Sequence, residues 1–237
     1  MSTGFTGPGR RAVVIGASGG IGAALADALA AAGGDVHRLD RGGTHAPPLD
    51  LTDEASIAAA AARIGDSGPV DLVIVASGVL QAGGASPEKR WRDLDAEVLA
   101  RYFAVNATGP ALVAKHFLPL LPADRPAAFA ALSARVGSIA DNRLGGWYGY
   151  RASKAALNML VKTLAIELAR SRPAALCVAL HPGTVDTRLS EPFQRGVAPG
   201  KLFTPARSAQ ALLDVLERLT AAESGGCFAW DGARIEP

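Results

Sequence analysis

The chain has 237 residues, 49% of them hydrophobic, with 24 Lys and Arg against 22 Asp and Glu and a net charge of +2. That length and apolar content suit one large α/β unit with a substantial buried core. The small, dispersed charge argues against nucleic acid or an anionic membrane as partner, and no apolar run approaches the ~20 residues of a membrane span.

Residues 1–10 are rich in Gly, Ser, Thr and Pro and have no apolar stretch of the signal-peptide kind. They read as a flexible tail ahead of one domain over 11–237. Ala12-Val13-Val14-Ile15 predicts a first strand. It runs into Gly16-Ala17-Ser18-Gly19-Gly20-Ile21-Gly22, after which Ile21, Ala24, Leu25, Ala28 and Leu29 recur at helical spacing up to Gly33-Gly34. A strand over 35–40 follows, then a short helix over 53–64 with Thr52 or Asp53 as N-cap. Asp71 to Ala76 is a continuous apolar run of the fully buried parallel type.

A long helical stretch is expected from Asp93 to Leu121, with Pro110 marking a bend or break. Further strands are expected over 127–133, 174–180 and 227–230, and further helices over 148–170 and 206–219. Strands alternating with helices imply right-handed crossovers and a doubly wound parallel sheet. Cys177 and Cys227 lie among apolar neighbours and read as reduced, buried thiols. No metal-ligand spacing is present, so no metal site is expected. A cytoplasmic location is expected.

Two features carry chemistry. The glycine turn sits between a strand and a helix, where glycines permit positive φ and let a pyrophosphate approach the helix N-terminus; such a turn also serves packing alone. Further on, Tyr150-Arg151-Ala152-Ser153-Lys154 places a phenol and an ammonium four residues apart, on one face of a helix. A neighbouring positive charge favours phenolate, so the pair reads as a proton donor with a lowered pKa. The second strand ends in Asp40-Arg41. A carboxylate there accepts hydrogen bonds from an adenosine ribose, and an Arg accommodates a 2′-phosphate. Asp40 sits where the strand should end, so NAD(H) is favoured, with NADP(H) as the alternative. Asp50-Leu51-Thr52 offers a carboxylate for the adenine, or a plain turn.

These residues resemble the short-chain dehydrogenase/reductase family, over nearly the whole chain. Gly16, Gly20 and Gly22 match its TGxxxGIG, with Ile15 in place of Thr. Asn106 matches its structural and catalytic Asn, Tyr150 and Lys154 its YxxxK, and Pro182 to Thr187 its PGxxxT. The stretch from Ser133 to Tyr148, with Phe228 to Gly232, is similar to the C-factor/sniffer-like branch.

The resemblance implies a single-domain Rossmann fold, a doubly wound parallel sheet of about seven strands with helices on both faces. It implies an oxidoreductase that moves hydride between NAD(P)(H) and a small carbonyl or alcohol, with Tyr150 as general acid/base. Lys154 would hold the nicotinamide ribose and lower the Tyr150 pKa, and Asn106 would hold a water in the proton path. Gly16, Ser18, Gly19, Gly20, Ile21 and Gly22 would hold the phosphates. Ala76, Ser77 and Gly78 would pass beneath the adenosine, with Asp50 and Leu51 near the adenine. Pro182, Gly183, Val185 and Thr187 would flank the nicotinamide end. Residues 185–201 read as a lid, or as a surface connection. Trp147, Tyr148 and Arg143 read as a pocket wall, or as a packed loop.

Two departures stand out. The family's NNAG appears as Val75-Ala76-Ser77-Gly78, so another network must tie the sheet together. The family's catalytic Ser falls on Ala134. Ser133, one residue earlier, faces the other way on a regular strand; Ser138 is a second candidate, and absence of any hydroxyl is the third possibility. These departures keep open another function, a cofactor-binding signalling or interaction protein with vestigial catalysis. Apolar residues beyond one stripe on the helices over 93–121 and 148–170 predict a homodimer or homotetramer.

Overall fold

The computed structural model describes residues 4–43, 48–81 and 86–237. In chain order the elements are β1 (Arg11–Ile15), α1 (Gly20–Ala31), β2 (Asp35–Leu39), α2 (Glu54–Gly65), β3 (Leu72–Val75), α3 (Ala96–Phe103) and α4 (Gly109–Phe117). Then come β4 (Ala127–Leu132), α5 (Tyr148–Ser171), β5 (Ala175–His181), β6 (Thr184–Val185), β7 (Leu202–Phe203), α6 (Pro205–Arg218) and β8 (Cys227–Ala229).

Six strands form one parallel sheet in the order β2-β1-β3-β4-β5-β8, and β6 and β7 pair as a separate short ribbon. The six are the six strands expected from the sequence. Strands β1, β3, β4 and β5 are almost wholly buried, because helices cover both faces of the sheet. On one face Val13, Val73, Phe129 and Cys177 pack with Ile57 of α2, Val113 and Phe117 of α4 and Leu157 of α5. On the other Val14, Ile74 and Leu176 pack with Leu25 and Leu29 of α1 and Leu212 and Leu216 of α6. The registers Ile15↔Val75, Val75↔Ala131 and Ala131↔Ala179 bring the carboxyl ends of these four strands to one edge. In an open α/β sheet that edge is where ligands bind.

The doubly wound parallel sheet with helices on both faces is as expected, with six strands in the main sheet and two in the ribbon among the described residues. Two expectations are adjusted. Residues 4–10 are not a loose tail. Phe5 is buried, the Phe5 and Thr6 amides donate to Glu217 Oε1 at 2.8 and 2.9 Å, and Arg10 pairs with Asp71 at 3.1 Å. The buried Phe5 ring, the Glu217 bonds and the Asp71 ion pair hold a segment whose composition suggested no such anchors; residues 1–3 lie outside the described residues. The helix expected over 93–121 is in pieces, with a π-helical turn over Ala104–Thr108 joining α3 to α4. Gly109 N–H reaches back to the Ala104 carbonyl, while Pro110 has no N–H to give to Asn106, four residues back. The distortion therefore lies just ahead of the proline, at Asn106. Residues 185–201 start at the end of β6 and include a 3₁₀ turn over Glu191–Gly196.

Asp53 caps α2 through the Ala55 amide, as its sequence position suggested. Cys177 and Cys227 are free and buried. No helix among the described residues is long and apolar enough to cross a membrane.

Candidate active site

The glycine turn follows β1 directly. Gly16 has φ +89°, and a Cβ there would lie 2.5 Å from Ser77 Oγ and 2.9 Å from Ser77 N. Only glycine lets the turn close against the loop after β3. A Cβ on Gly22 would lie 2.1 Å from the Gly16 carbonyl oxygen, so the helix can start this close to the strand only without one. Ser18, Gly19 and Gly20 are exposed. The N-terminus of α1 has no side-chain cap and no acidic residue in its first turn. An uncapped, exposed helix N-terminus fits a pyrophosphate, since its N–H groups and dipole favour an anion. From across the edge, Thr187 closes on this turn: a Cβ on Gly20 would be 2.8 Å from its Cγ2.

Helix α5 presents Tyr150 and Lys154 one turn apart, and both are buried, Lys154 to 4% exposure. Lys154 Nζ donates to the Leu132 carbonyl at 2.8 Å and stands 5.8 Å from the Tyr150 ring centre. Burial pushes the ammonium down to about 8. It also pushes the Tyr150 phenol above its usual range, with Tyr102 as a lesser contributor. The expectation of a lowered phenol pKa is therefore corrected: desolvation of a buried phenolate raises it.

Asn106 joins these parts. Its Oδ1 accepts from Val79 N at 2.9 Å, and its Nδ2 donates to Val79 O at 2.9 Å and Ser153 Oγ at 3.2 Å. Ser153 Oγ donates in turn to the Tyr150 carbonyl at 2.9 Å. These bonds clamp the loop after β3 to the first turns of α5. Gly78 fits between its members, since a Cβ there would lie 3.2 Å from Asn106 Oδ1 and 3.5 Å from Lys154 Nζ.

Neither candidate serine is joined to Tyr150. Ser133 Oγ donates to Asn158 Oδ1 at 2.7 Å. Ser138 Oγ accepts from Asp141 N at 3.0 Å and borders a cavity of about 440 Å³ with Tyr148, Arg151, Ala152 and Ala155, away from Tyr150. Ala134 is the residue that packs on the Leu80–Tyr102–Tyr150 cluster, together with Val136, Trp147 and Phe193.

At the adenosine end, Asp40 is only 3% exposed, and Arg41 is exposed. The Asp50 carboxylate accepts from Thr52 N and Oγ1, both at 2.8 Å. These bonds hold it below the usual carboxylate range, and the Arg41 charge adds a smaller pull. Leu51 is buried against Gly109. Ala76 N donates to the Ile15 carbonyl at 2.8 Å, seating Ala76 and Ser77 beside the glycine turn. At the other end, the Pro182 carbonyl accepts from Ser208 Oγ at 2.8 Å. Gly183 has φ +78° and abuts the rings of Phe203 and Trp230. Val185 is buried, and its carbonyl accepts from the hydroxyl of Ser190.

Sequence reasoning missed two residues. Glu88 is 4% exposed and bonds to the first turn of α5: its carbonyl accepts from Trp147 N at 2.5 Å and its Oε2 from Gly149 N at 3.2 Å. Nothing local to Pro87-Glu88-Lys89 signals this partnership. Ser153 lies inside the Tyr150–Lys154 motif, where a hydroxyl beside the ionisable pair was the available sign. Trp147 takes φ +53° and meets Tyr150 and Phe193 edge to face at 6.2 and 5.1 Å between ring centres. Of the suggested wall residues, it alone packs on the Tyr150 cluster; Tyr148 borders the 440 Å³ cavity and Arg143 is exposed.

The short chain dehydrogenase family profile matches residues 10–198. A 1-hydroxy-2-glutathionyl-2-methyl-3-butene dehydrogenase of Rhodococcus sp. (strain AD45) is 32% identical over 80% of this chain and 79% of its own. C-signal of Myxococcus xanthus is 36% identical over 71% of this chain and 93% of its own. Among solved structures, the NADPH-bound carbonyl reductase from chicken fatty liver superposes with a TM-score of 0.84 at 26% identity, over 99% of this chain and 96% of that one. With its glycine turn, its Tyr150–Lys154 pair and this likeness along most of its length, the chain belongs to the short-chain dehydrogenase/reductase family and is an oxidoreductase.

Proposed function

We propose that the protein reduces a small carbonyl compound, and oxidises the matching alcohol in reverse, with a nicotinamide dinucleotide as co-substrate and Tyr150 as general acid/base. One observation carries this reading. Tyr150 and Lys154 stand together on α5, with Lys154 bound to the end of β4, at the sheet edge where Thr187 meets the glycine turn.

The α1 N-terminus, from Ser18 to Gly22, would hold the pyrophosphate, Lys154 the nicotinamide ribose, and Thr187 the carboxamide or the phosphates. When bound, the nicotinamide supplies the hydride that reduces the carbonyl carbon. Tyr150 gives its phenolic proton to the carbonyl oxygen. Burial holds that proton on the phenol, and the Lys154 ammonium, 5.8 Å from the Tyr150 ring centre, would stabilise the phenolate left behind. Asn106 and Ser153 hold the loop after β3 against the first turns of α5. With Ala134 in place of a serine, one donor to the developing oxyanion is missing, an absence that commonly costs ~10²–10³ in rate.

NADP(H) is the favoured form. The burial of Asp40 weakens the ribose-acceptor role that pointed to NAD(H), the exposed Arg41 suits a 2′-phosphate, and the chicken enzyme is NADPH-bound. The functional assembly is a homodimer or homotetramer. A second reading, a cofactor-binding signalling protein with vestigial catalysis, draws support from Ala134 and from the C-signal relative. Turnover separates the two. A panel of aldehydes and ketones with NADPH or NADH, followed by nicotinamide absorbance, gives steady oxidation for a reductase. A signalling protein gives cofactor binding without turnover.

A further inference from the structure

We propose that Glu88 is a positioning residue for Tyr150, gripping the first turn of α5 from the far side of the chain and so aiming the phenol at the substrate carbonyl. The role rests on the carbonyl-reductase reading above.

Helix α5 begins without a cap of its own. Trp147, its N-cap residue, makes no side-chain capping bond, and the first turn holds no acidic residue. The orphan N–H groups of a helix start need acceptors, and Glu88, far back in the chain, supplies two. Its carbonyl takes Trp147 N at 2.5 Å and its Oε2 takes Gly149 N at 3.2 Å. Tyr150 is the next residue, so a shift of the Gly149 amide moves the phenol directly.

The fit around Glu88 is close. Gly149 makes room for it: a Cβ there would lie 2.9 Å from Glu88 Oε1 and 2.5 Å from Tyr102 Cδ2. The other oxygen, Oε1, is buried with no hydrogen-bond partner among the described residues. A buried, half-satisfied carboxylate is a poor device for stability alone. The backbone it grips is strained as well, since Trp147 is the one non-glycine residue with positive φ among the described residues. Such a conformation persists where its surroundings over-determine it. The same clamp thereby places the Trp147 ring between Tyr150 and Phe193. Glu88 touches neither substrate nor cofactor in this account; it acts through Tyr150 and Trp147.

The test compares wild type, Glu88→Ala, Glu88→Gln and Gly149→Ala in kcat, NADPH affinity by calorimetry, and near-ultraviolet dichroism. Displacing a reacting group by about 1 Å costs up to ~10² in rate. Glu88→Ala is expected to lower kcat by about 10–100-fold with NADPH affinity unchanged, and to alter the aromatic dichroism. Glu88→Gln, whose carboxamide oxygen accepts the same N–H, should recover kcat to within about fivefold of wild type. Gly149→Ala keeps Glu88 but pushes it aside, and should follow Glu88→Ala; it carries the test should that variant not fold. An active wild type whose Glu88→Ala variant keeps kcat within about threefold overturns the role. So do equal losses in the Gln and Ala variants, or an NADPH affinity that falls in step with kcat. A wild type that binds NADPH without turnover overturns the reductase reading instead, and the role with it.

Discussion

Ser133 Oγ donates to Asn158 Oδ1 across 2.7 Å, which ties the end of β4 to α5 one turn beyond Lys154. The hydroxyl is committed to this internal bond, and the neighbouring Ala134 is the residue that packs on the Tyr150 cluster. Ala134→Ser should therefore place a donor beside Tyr150 and raise kcat by about tenfold or more, since one oxyanion donor is worth ~10²–10³ when well aimed. Ser133→Ala should leave kcat within about threefold and lower stability by about 1 kcal/mol through the lost bond. Steady-state kinetics and urea unfolding check both. Loss of turnover in Ser133→Ala, with no gain in Ala134→Ser, would instead make Ser133 the substrate donor.

In the proposed mechanism Lys154 sets the alkaline limit. Burial lowers its folded-state pKa from 10.5 to about 8, so the ammonium is complete below that value and lost as pH rises through it. kcat/KM for carbonyl reduction should fall above about pH 8. Stability moves the other way. Between about 8 and 10.5 the unfolded chain holds the proton that the folded chain has released, so the Lys154 contribution to stability rises with pH in that window. Lys154→Met should abolish turnover and remove this rise. A pH–rate profile that stays flat to pH 10 would contradict the assignment.

Arg41 is the expected reader of the 2′-phosphate. Arg41→Ala should weaken NADPH about tenfold, the scale of one charge-assisted contact, and leave NADH nearly unchanged. Calorimetric titration with both nucleotides decides it. A wild type that binds NADH more tightly than NADPH would restore Asp40 to the leading role.

The proposed assembly rests on the outer face of α5. Leu157, Val161 and Leu168 face the sheet, while Met159 and Ile166 remain 66% and 53% exposed. Sedimentation at micromolar concentration should show a dimer or tetramer, and the Met159→Glu/Ile166→Glu double variant should be monomeric. A monomeric wild type would contradict the expected pairing of this face.

The strands were legible because parallel strands covered on both faces are apolar along their whole length, as Leu72 to Val75 and Ala127 to Leu132 are. The glycine turn, the Tyr150–Lys154 spacing and the Asp53 cap were legible because each is a local requirement. What could not be read depends on distant partners. Phe5 is one aromatic residue in a Gly-rich stretch, and its burial is visible only once α6 brings Glu217 to it. Pro110 marked a helix break, but its missing N–H is felt upstream, at Asn106. Glu88 has no periodicity or motif around it. The rise in the Tyr150 pKa reflects the burial of the ring, which spacing along a helix does not encode.

The most direct test of the account is Tyr150→Phe, which removes the proton donor and keeps the ring. We predict an unchanged fold and retained NADPH binding by calorimetry, with turnover of the best carbonyl substrate lowered ~10²-fold or more. Turnover within a few-fold of wild type would contradict the assignment of Tyr150 as the general acid.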